Sequence, residues 1–272
     1  MALKSRSIVD FFSLDSPFAN EFRRLLLKIS NAAAESELKT VMLTSAMTSE
    51  GKSTICSLLG VTAAKQNGLK TLIFDCDLRR PTIHKFFAMD REPGLADILV
   101  DGYNPKEAIR KTSIDKLDIL TSGSGQHQPA EVFDAEAIGY LLDELKFYYD
   151  LILVDSAPVL PVSDPLLLAK KVDGILLVVR AGATSREIVE RSAEILSSAR
   201  DRVLGVVLNN ADNNLPYYYD YRYYGYTYKE SRDKSKPSPK HSSGRRSRRR
   251  SNGGAAGSQD AGASHRNKRS IR

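Results

Sequence analysis

Between Thr40 and Thr54 the chain reads TVMLTSAMTSEGKST. Three apolar residues, Val41, Met42 and Leu43, run into small side chains and then into Glu50-Gly51-Lys52-Ser53-Thr54. The pattern predicts a buried strand, a tight loop and the first turn of a helix. Backbone N–H groups of such a loop lack helical partners and can cradle phosphate oxygens. In that arrangement Lys52 reaches the terminal phosphates and the Ser53 hydroxyl sits on Mg²⁺. The general pattern GxxxxGK[ST] asks for Gly where this chain has Ala46. A bare GK[ST] also occurs in ordinary glycine turns, so the stretch needs support from elsewhere.

That support begins with alternation. A helix is expected from Phe18 to Ala34, with Asp15/Ser16 as caps, Pro17 in its first turn, and Phe18, Phe22, Leu25, Leu26 and Ile29 at helical spacing. Its apolar stripe fits packing on its own domain as well as an interface. Strands are expected at Thr40–Thr44, Thr71–Asp75, Leu117–Leu120, Leu151–Asp155, Gly174–Arg180 and Val203–Leu208. Helices are expected at Lys52–Asn67 with Gly68 as the stop, Leu95–Val100, Asp134–Tyr148, Ser163–Lys171 and Ser185–Ala199. Continuous Val/Ile/Leu strands between helices predict an α/β fold, a mostly parallel sheet with helices on both faces. Ligands of such sheets bind at the carboxyl ends of the strands.

Acids sit at two of those ends. Leu72-Ile73-Phe74 leads to Asp75-Cys76-Asp77-Leu78-Arg79-Arg80-Pro81, and Leu151–Val154 leads to Asp155-Ser156-Ala157-Pro158. Burying carboxylates is costly unless they are used. Near a phosphate loop Asp75 and Asp77 would hold Mg²⁺ through water and orient an attacking hydroxyl, and Asp155 at its strand tip would help bind the metal. Arg79 or Arg80 would hold phosphate or pair with those acids. A solvated turn with a local ion pair is the plainer alternative.

The charge is unevenly placed. Lys229–Arg272 holds 14 Lys/Arg and 3 Asp/Glu, which makes it +11, against −4 for residues 1–228. This tail is rich in Ser, Gly, Lys and Arg, cannot bury enough apolar surface to offset its chain entropy, and is expected to be disordered. Before it, residues 217–228 read YYYDYRYYGYTY and hold eight of the twelve tyrosines. The expected organisation is therefore a lead-in at 1–17, a nucleotide-binding domain at 18–215, a tyrosine cluster at 216–228 and a basic tail at 229–272. No apolar run approaches the ~18–20 residues that span a bilayer, and the first fifteen residues do not read as a secretion signal. Cys56 and Cys76 lack metal-ligand spacing and fit a reducing, cytoplasmic setting as small buried residues.

From about Ser16 to Tyr228 the chain resembles the bacterial tyrosine kinases of the CpsD/CapB type. The matching stretches are Ser45 with Glu50–Thr54, Asp75–Pro81, Gly94–Leu99, Pro129–Glu131, Val154–Pro158, Gly205–Asn209 and the tyrosine cluster. The resemblance implies a P-loop NTPase fold of the MinD/ParA kind that uses ATP and Mg²⁺. Its activity would be autokinase transfer of the γ-phosphoryl to tyrosines of a neighbouring copy, regulating capsule or exopolysaccharide polymerisation and export. On this chain Ser49, Glu50, Gly51, Lys52, Ser53, Thr54 and Asn209 would bind nucleotide. Ser53, Asp75 and Asp155 would hold the metal, with Lys52, Asp75, Asp77 and Asp155 serving catalysis. Tyr217, Tyr218, Tyr219, Tyr221, Tyr223, Tyr224, Tyr226 and Tyr228 would accept phosphate. The implied partners are a homo-oligomeric ring and a membrane-embedded polysaccharide co-polymerase that activates the kinase, at the inner face of the plasma membrane.

The chain departs from that family at Thr48, where Pro is usual, at Ala157, and along its first helix. Relatives carry ExxRxxR there; Asn20, Arg23 and Leu26 stand in its place, which predicts a weaker or differently wired ring. Two other functional readings remain: a MinD/ParA-like ATPase switch and an ATP-binding pseudokinase. The switch class usually carries a second Lys early in its loop, and Ser45-Ala46-Met47-Thr48 has none. The basic tail reads as a solvated charge run or as a contact to anionic membrane. Nucleic acid, as a stacking partner for the tyrosines, is the less favoured alternative.

Overall fold

The computed structural model describes residues 12–126 and 128–211. The expectations for the start of the lead-in, the tyrosine cluster and the basic tail lie outside the described residues.

Helix α1 spans Pro17–Ser36. Ser16 caps it from an extended backbone, its hydroxyl accepting the Ala19 N–H at 3.2 Å. Phe22, Leu26 and Ile29 are buried, and Arg23 donates to Gln66 on helix α2 (Lys52–Asn67) at 2.7 Å. The stripe therefore packs on its own domain. Phe18 departs from it: at 55% exposure it sits in the first turn and stacks edge-on against Phe22 and Phe12, with centroids 5.1 and 6.3 Å away.

Seven strands form one sheet: β1 Thr40–Ser45, β2 Thr71–Asp75, β3 Arg110–Lys111, β4 Leu117–Leu120, β5 Leu151–Asp155, β6 Gly174–Arg180 and β7 Val203–Asn209. Their order is β3-β4-β2-β5-β1-β6-β7. Every neighbouring pair is parallel except β3 with β4. Side chains alternate across the sheet, as strand geometry requires. Val41, Leu43, Ile73, Leu153 and Val178 share a core with Phe22 and Leu26 of α1 and Ile55 and Leu59 of α2. Met42, Leu72, Phe74, Ile152, Val154 and Leu177 face the other way. They pack on Leu95 of α4 (Leu95–Asp101), Ile138 and Leu142 of α7 (Ala135–Leu145) and Leu168 of α8 (Asp164–Leu168). Both faces are thus covered, and each fully buried Leu, Ile or Val side chain contributes about 1.5–3 kcal/mol.

Three helices are shorter than their sequence patterns suggest. The 134–148 pattern is α-helical only to Leu145, and the 163–171 pattern only from Asp164 to Leu168. The 185–199 pattern is helix α9 (Arg186–Ile195), which passes into a 3₁₀ stretch at Leu196–Arg202. There Ala199 leaves helical geometry (φ −126°, ψ 27°), so that Leu196 and Ala199, three apart, both reach the core. The one-turn helices α3 (Ile83–Phe86), α5 (Pro105–Ala108) and α6 (Pro129–Val132) and the two-residue edge strand β3 are too short to show a period, and only Pro105 after its Asn104 cap and Pro129 mark a helix start in the sequence.

Register builds the site. Asp75 pairs directly with Asp155 across β2 and β5, and Asp155 with Leu43 across β5 and β1. Three adjacent central strands therefore end together, two of them on carboxylates, and β1 delivers its loop over the same edge.

Candidate active site

The loop after β1 is clamped from several directions. Glu50 is 3% exposed and turns back into its own loop, accepting the Met47 N–H at 2.7 Å through Oε2. Its other oxygen accepts the hydroxyl of Thr184, which lies just beyond β6. The Ser45 hydroxyl donates to the Met47 carbonyl at 2.7 Å. Two residues adopt left-handed backbone, Ser49 (φ 65°) and Gly51 (φ 95°). At Gly51 a side chain would also collide, since a Cβ there would lie 2.2 Å from Asn209 Nδ2. Asn209, the last residue of β7, donates that amide to the Glu50 carbonyl at 2.8 Å. Ala46, standing where the general pattern has Gly, is fully buried.

Lys52 begins α2 and points at the acids. Its Nζ donates to Asp77 Oδ2 at 2.7 Å and to Ser53 Oγ at 3.2 Å, and it lies 3.6 Å from Asp155 Oδ1. Asp77 Oδ1 accepts the Arg80 N–H at 3.0 Å, and Asp75 Oδ1 accepts the Asp77 N–H at 3.2 Å. The remaining oxygens, Asp75 Oδ2 and both of Asp155, are buried without a hydrogen-bond partner. One ammonium thus faces three carboxylates, all nearly inaccessible to water. Burial acts to lower the Lys52 pKa, but Asp155 and Asp77 outweigh it and raise it above the ordinary lysine value. Burial pushes Asp75 well above the carboxylate range, and the Asp155 and Asp77 charges push it further. Asp155 is also raised by burial, against the pull of Lys52.

A divalent cation fits this set. Three buried carboxyl groups face a single ammonium, so a second or third negative charge there lacks a counter-ion, and three oxygens at the strand tips have no hydrogen-bond partner. Among the described residues no group of three His, Cys, Asp or Glu forms a self-contained metal cage. That suits Mg²⁺, which is ordinarily held by one or two carboxylates, water and substrate phosphates. Ser53, Asp75 and Asp155 would be placed to hold it.

The structure gathers Ser49–Thr54, Asp75, Asp77, Asp155 and Asn209 at one edge of the sheet, while the eight tyrosines lie outside the described residues. Arg79 does not pair with the motif acids. Its guanidinium forms a two-point bridge to Asp164 at the start of α8, at 2.8 and 3.2 Å. Thr184 and Asp164 fall in none of the matching stretches, and Asp97 lies in one, Gly94–Leu99, without a role assigned to it. The last accepts the Gly94 and Ser124 N–H groups at 2.6 and 3.1 Å, tying two loops beside the site. Thr184 has no motif around it; Asp164, in Ser163-Asp164-Pro165 at a helix start, and Asp97, third after Gly94, carry ordinary capping signals.

Residues 41–221 match the CobQ/CobB/MinD/ParA nucleotide binding domain family. The chain is 32% identical over 220 residues to tyrosine-protein kinase YwqD of Bacillus subtilis (strain 168), covering 81% of this chain and 92% of that one. The chain belongs to the bacterial tyrosine-protein kinases. The solved kinase domain of Escherichia coli tyrosine kinase ETK superposes with a TM-score of 0.71 at 28% identity, covering 77% of this chain and 82% of that one. The succinoglycan biosynthesis transport protein ExoP of Rhizobium meliloti (strain 1021) is 32% identical over 213 residues, 77% of this chain but 27% of its own length. The matching stretch thus makes up nearly the whole of one relative and a minor part of another. The buried Lys52–Asp77–Asp155 cluster lies within the nucleotide-binding match, and no described helix is long and apolar enough to cross a membrane.

Proposed function

We propose that this kinase transfers the γ-phosphoryl of ATP to tyrosines within Tyr217–Tyr228 of a neighbouring copy, and acts in the synthesis or export of an exopolysaccharide. The observation that carries the reading is the buried contact of Lys52 with Asp77, between the phosphate loop and the second acid of DCD. The loop amides and Lys52 would bind the nucleotide phosphates, and Mg²⁺ bound beside Ser53, Asp75 and Asp155 would neutralise phosphate charge. An ammonium drawn to phosphate would release Asp77 Oδ2. Asp77 would then accept the proton of a tyrosine hydroxyl as that oxygen bonds to the γ-phosphorus and the bond to the β-phosphate oxygen breaks. A free tyrosine titrates near ~10, so a carboxylate at hydrogen-bond distance is useful.

The name of ExoP supports placing the activity in polysaccharide export. A membrane-embedded co-polymerase as activator, a position at the inner face of the membrane and a ring of copies complete the reading. The roles of Ser49–Thr54 and Asn209 belong to the same proposal, as do the domain limits 18–215, 216–228 and 229–272.

Incubation with Mg-ATP and then phosphosite mapping tests it, with Lys52→Ala and Asp77→Ala alongside. Phosphate on Tyr217–Tyr228 in the parent and on neither variant supports the kinase. Phosphate release with no phosphotyrosine would favour an ATPase switch, and nucleotide binding with neither reaction would favour a pseudokinase.

A further inference from the structure

Next to the turn that follows Asp77 the chain lines a cleft. It has a volume of about 190 Å³ and is walled by Leu78, Arg79, Pro81, Arg91, Ser124 and Gly125 among others. That is less than the roughly 300–1,000 Å³ of sites for whole small molecules. Its two guanidiniums are in different states. Arg79 is fully engaged by Asp164. Arg91 is held in place but not neutralised. Its Nε donates to the Ser122 hydroxyl at 3.0 Å, and its carbonyl accepts the Thr121 hydroxyl at 2.6 Å. Its Nη1 lies over Gly125, where a Cβ would approach to 2.9 Å. Among the described residues Arg91 meets no carboxylate at ion-pair distance. A pre-positioned, unneutralised guanidinium in a cleft favours a phosphate-like anion.

The sequence supplies a matching anion. Tyr217, Tyr219, Tyr221 and Tyr223 recur at every second residue, and so do Tyr224, Tyr226 and Tyr228. In an extended chain residues two apart face the same side, about 6.6–6.8 Å apart. The cleft begins at Leu78, the residue after Asp77. Because Leu78, Arg79 and Pro81 of the turn after Asp77 wall the cleft together with Arg91, an extended segment seated there runs alongside that turn.

We propose that Arg91 and the Ser124–Gly125 wall form a phosphotyrosine-binding subsite, so that one modified tyrosine positions the tyrosine two residues away for the next transfer. This rests on the tyrosine cluster being the acceptor. It makes modification of the cluster sequential along a face of period two.

The test uses the full chain, phosphatase-treated and free of ATP, with fluorescent peptides of residues 215–229, unmodified or phosphorylated at Tyr219. Anisotropy should show the phosphopeptide binding about tenfold more tightly, the scale of one charge-assisted contact. Arg91→Gln should bring the two affinities together and Arg91→Lys should restore part of the gap, both variants melting as the parent does. Inorganic phosphate at the same concentration should displace the phosphopeptide poorly; full displacement would mark a free-phosphate site and overturn the proposal. Equal affinity of the parent for both peptides, or an unchanged gap in Arg91→Gln, also overturns it, while leaving the proposed function standing. With Mg-ATP added, the phosphopeptide should show a KM about tenfold lower than the unmodified peptide. Tight phosphopeptide binding with no transfer to either peptide would support the subsite and overturn the proposed function instead.

Discussion

Replacing Asp155 by Asn should stabilise the nucleotide-free protein while abolishing transfer. Asp155 is fully buried, and although Ser53 and Lys52 both draw on it, neither of its oxygens has a partner at full hydrogen-bond geometry. At an effective dielectric of ~20, the Lys52 ammonium 3.6 Å away offsets about 4–5 kcal/mol of its desolvation. Asp75 is its direct neighbour in register. Any negative charge on Asp75 works against that pairing, which is part of why, beyond its burial, the Asp75 carboxyl is held well above the ordinary carboxylate range. The remaining desolvation, several kcal/mol for a buried ion, is left largely uncompensated. Asn keeps the shape, removes one charge and offers an N–H₂ to the orphaned Asp75 oxygen. The expected gain is roughly 1–3 kcal/mol, about 2–10 °C in melting temperature for a domain of this size. Thermal melts near pH 8 with a chelator present measure it directly. Adding Mg-ATP should raise the parent's melting temperature and leave the variant's almost unmoved. A variant that melts below the parent without ligand would show that Lys52 adequately pairs Asp155.

The other perturbations separate the parts. Lys52→Met should eliminate transfer and cost about 3–5 kcal/mol by leaving its carboxylates without a cation, read from denaturant melts and phosphotyrosine blots. Gly51→Ala should abolish nucleotide binding, because a left-handed residue gains a Cβ 2.2 Å from Asn209 Nδ2; calorimetry with ATP would show it. Asp173, outside the site, accepts the Lys39 and Thr40 N–H groups at 3.0 and 2.8 Å and the Lys146 ammonium at 2.8 Å. Burial opposes its ionisation, but these partners prevail and lower its pKa below the ordinary 3.8. Its contribution is therefore complete above that value and lost as pH falls through the depressed one. Asp173→Asn should cost roughly 1–2 kcal/mol at pH 7, and the gap to the parent should close below about pH 4 in urea melts.

How much could be read from the sequence depends on distance along the chain. Asp75 and Asp155 end apolar runs, and buried strands ending in acids announce a site even before their register is known. The phosphate loop was legible because its residues are consecutive. The clamps on that loop were not: Thr184 and Asn209 both meet Glu50, at its side chain and its carbonyl, only because β6 and β7 follow β1 in the sheet. The Arg79–Asp164 bridge was hidden for the same reason, since either acid of the neighbouring motif was a plausible partner until α8 brought a third. The altered loop positions matter less than their letters imply. Ala46 fits as a buried residue, and Glu50 holds the turn through its own side chain.

The most direct test mixes two chains. One carries Lys52→Met and keeps every tyrosine; the other has an intact site and all eight tyrosines from Tyr217 to Tyr228 replaced by Phe. With Mg-ATP, phosphate should appear on the tyrosines of the Lys52→Met chain, and on neither chain incubated alone. ATP consumption by the mixture with no phosphotyrosine on the Lys52→Met chain would contradict transfer between copies.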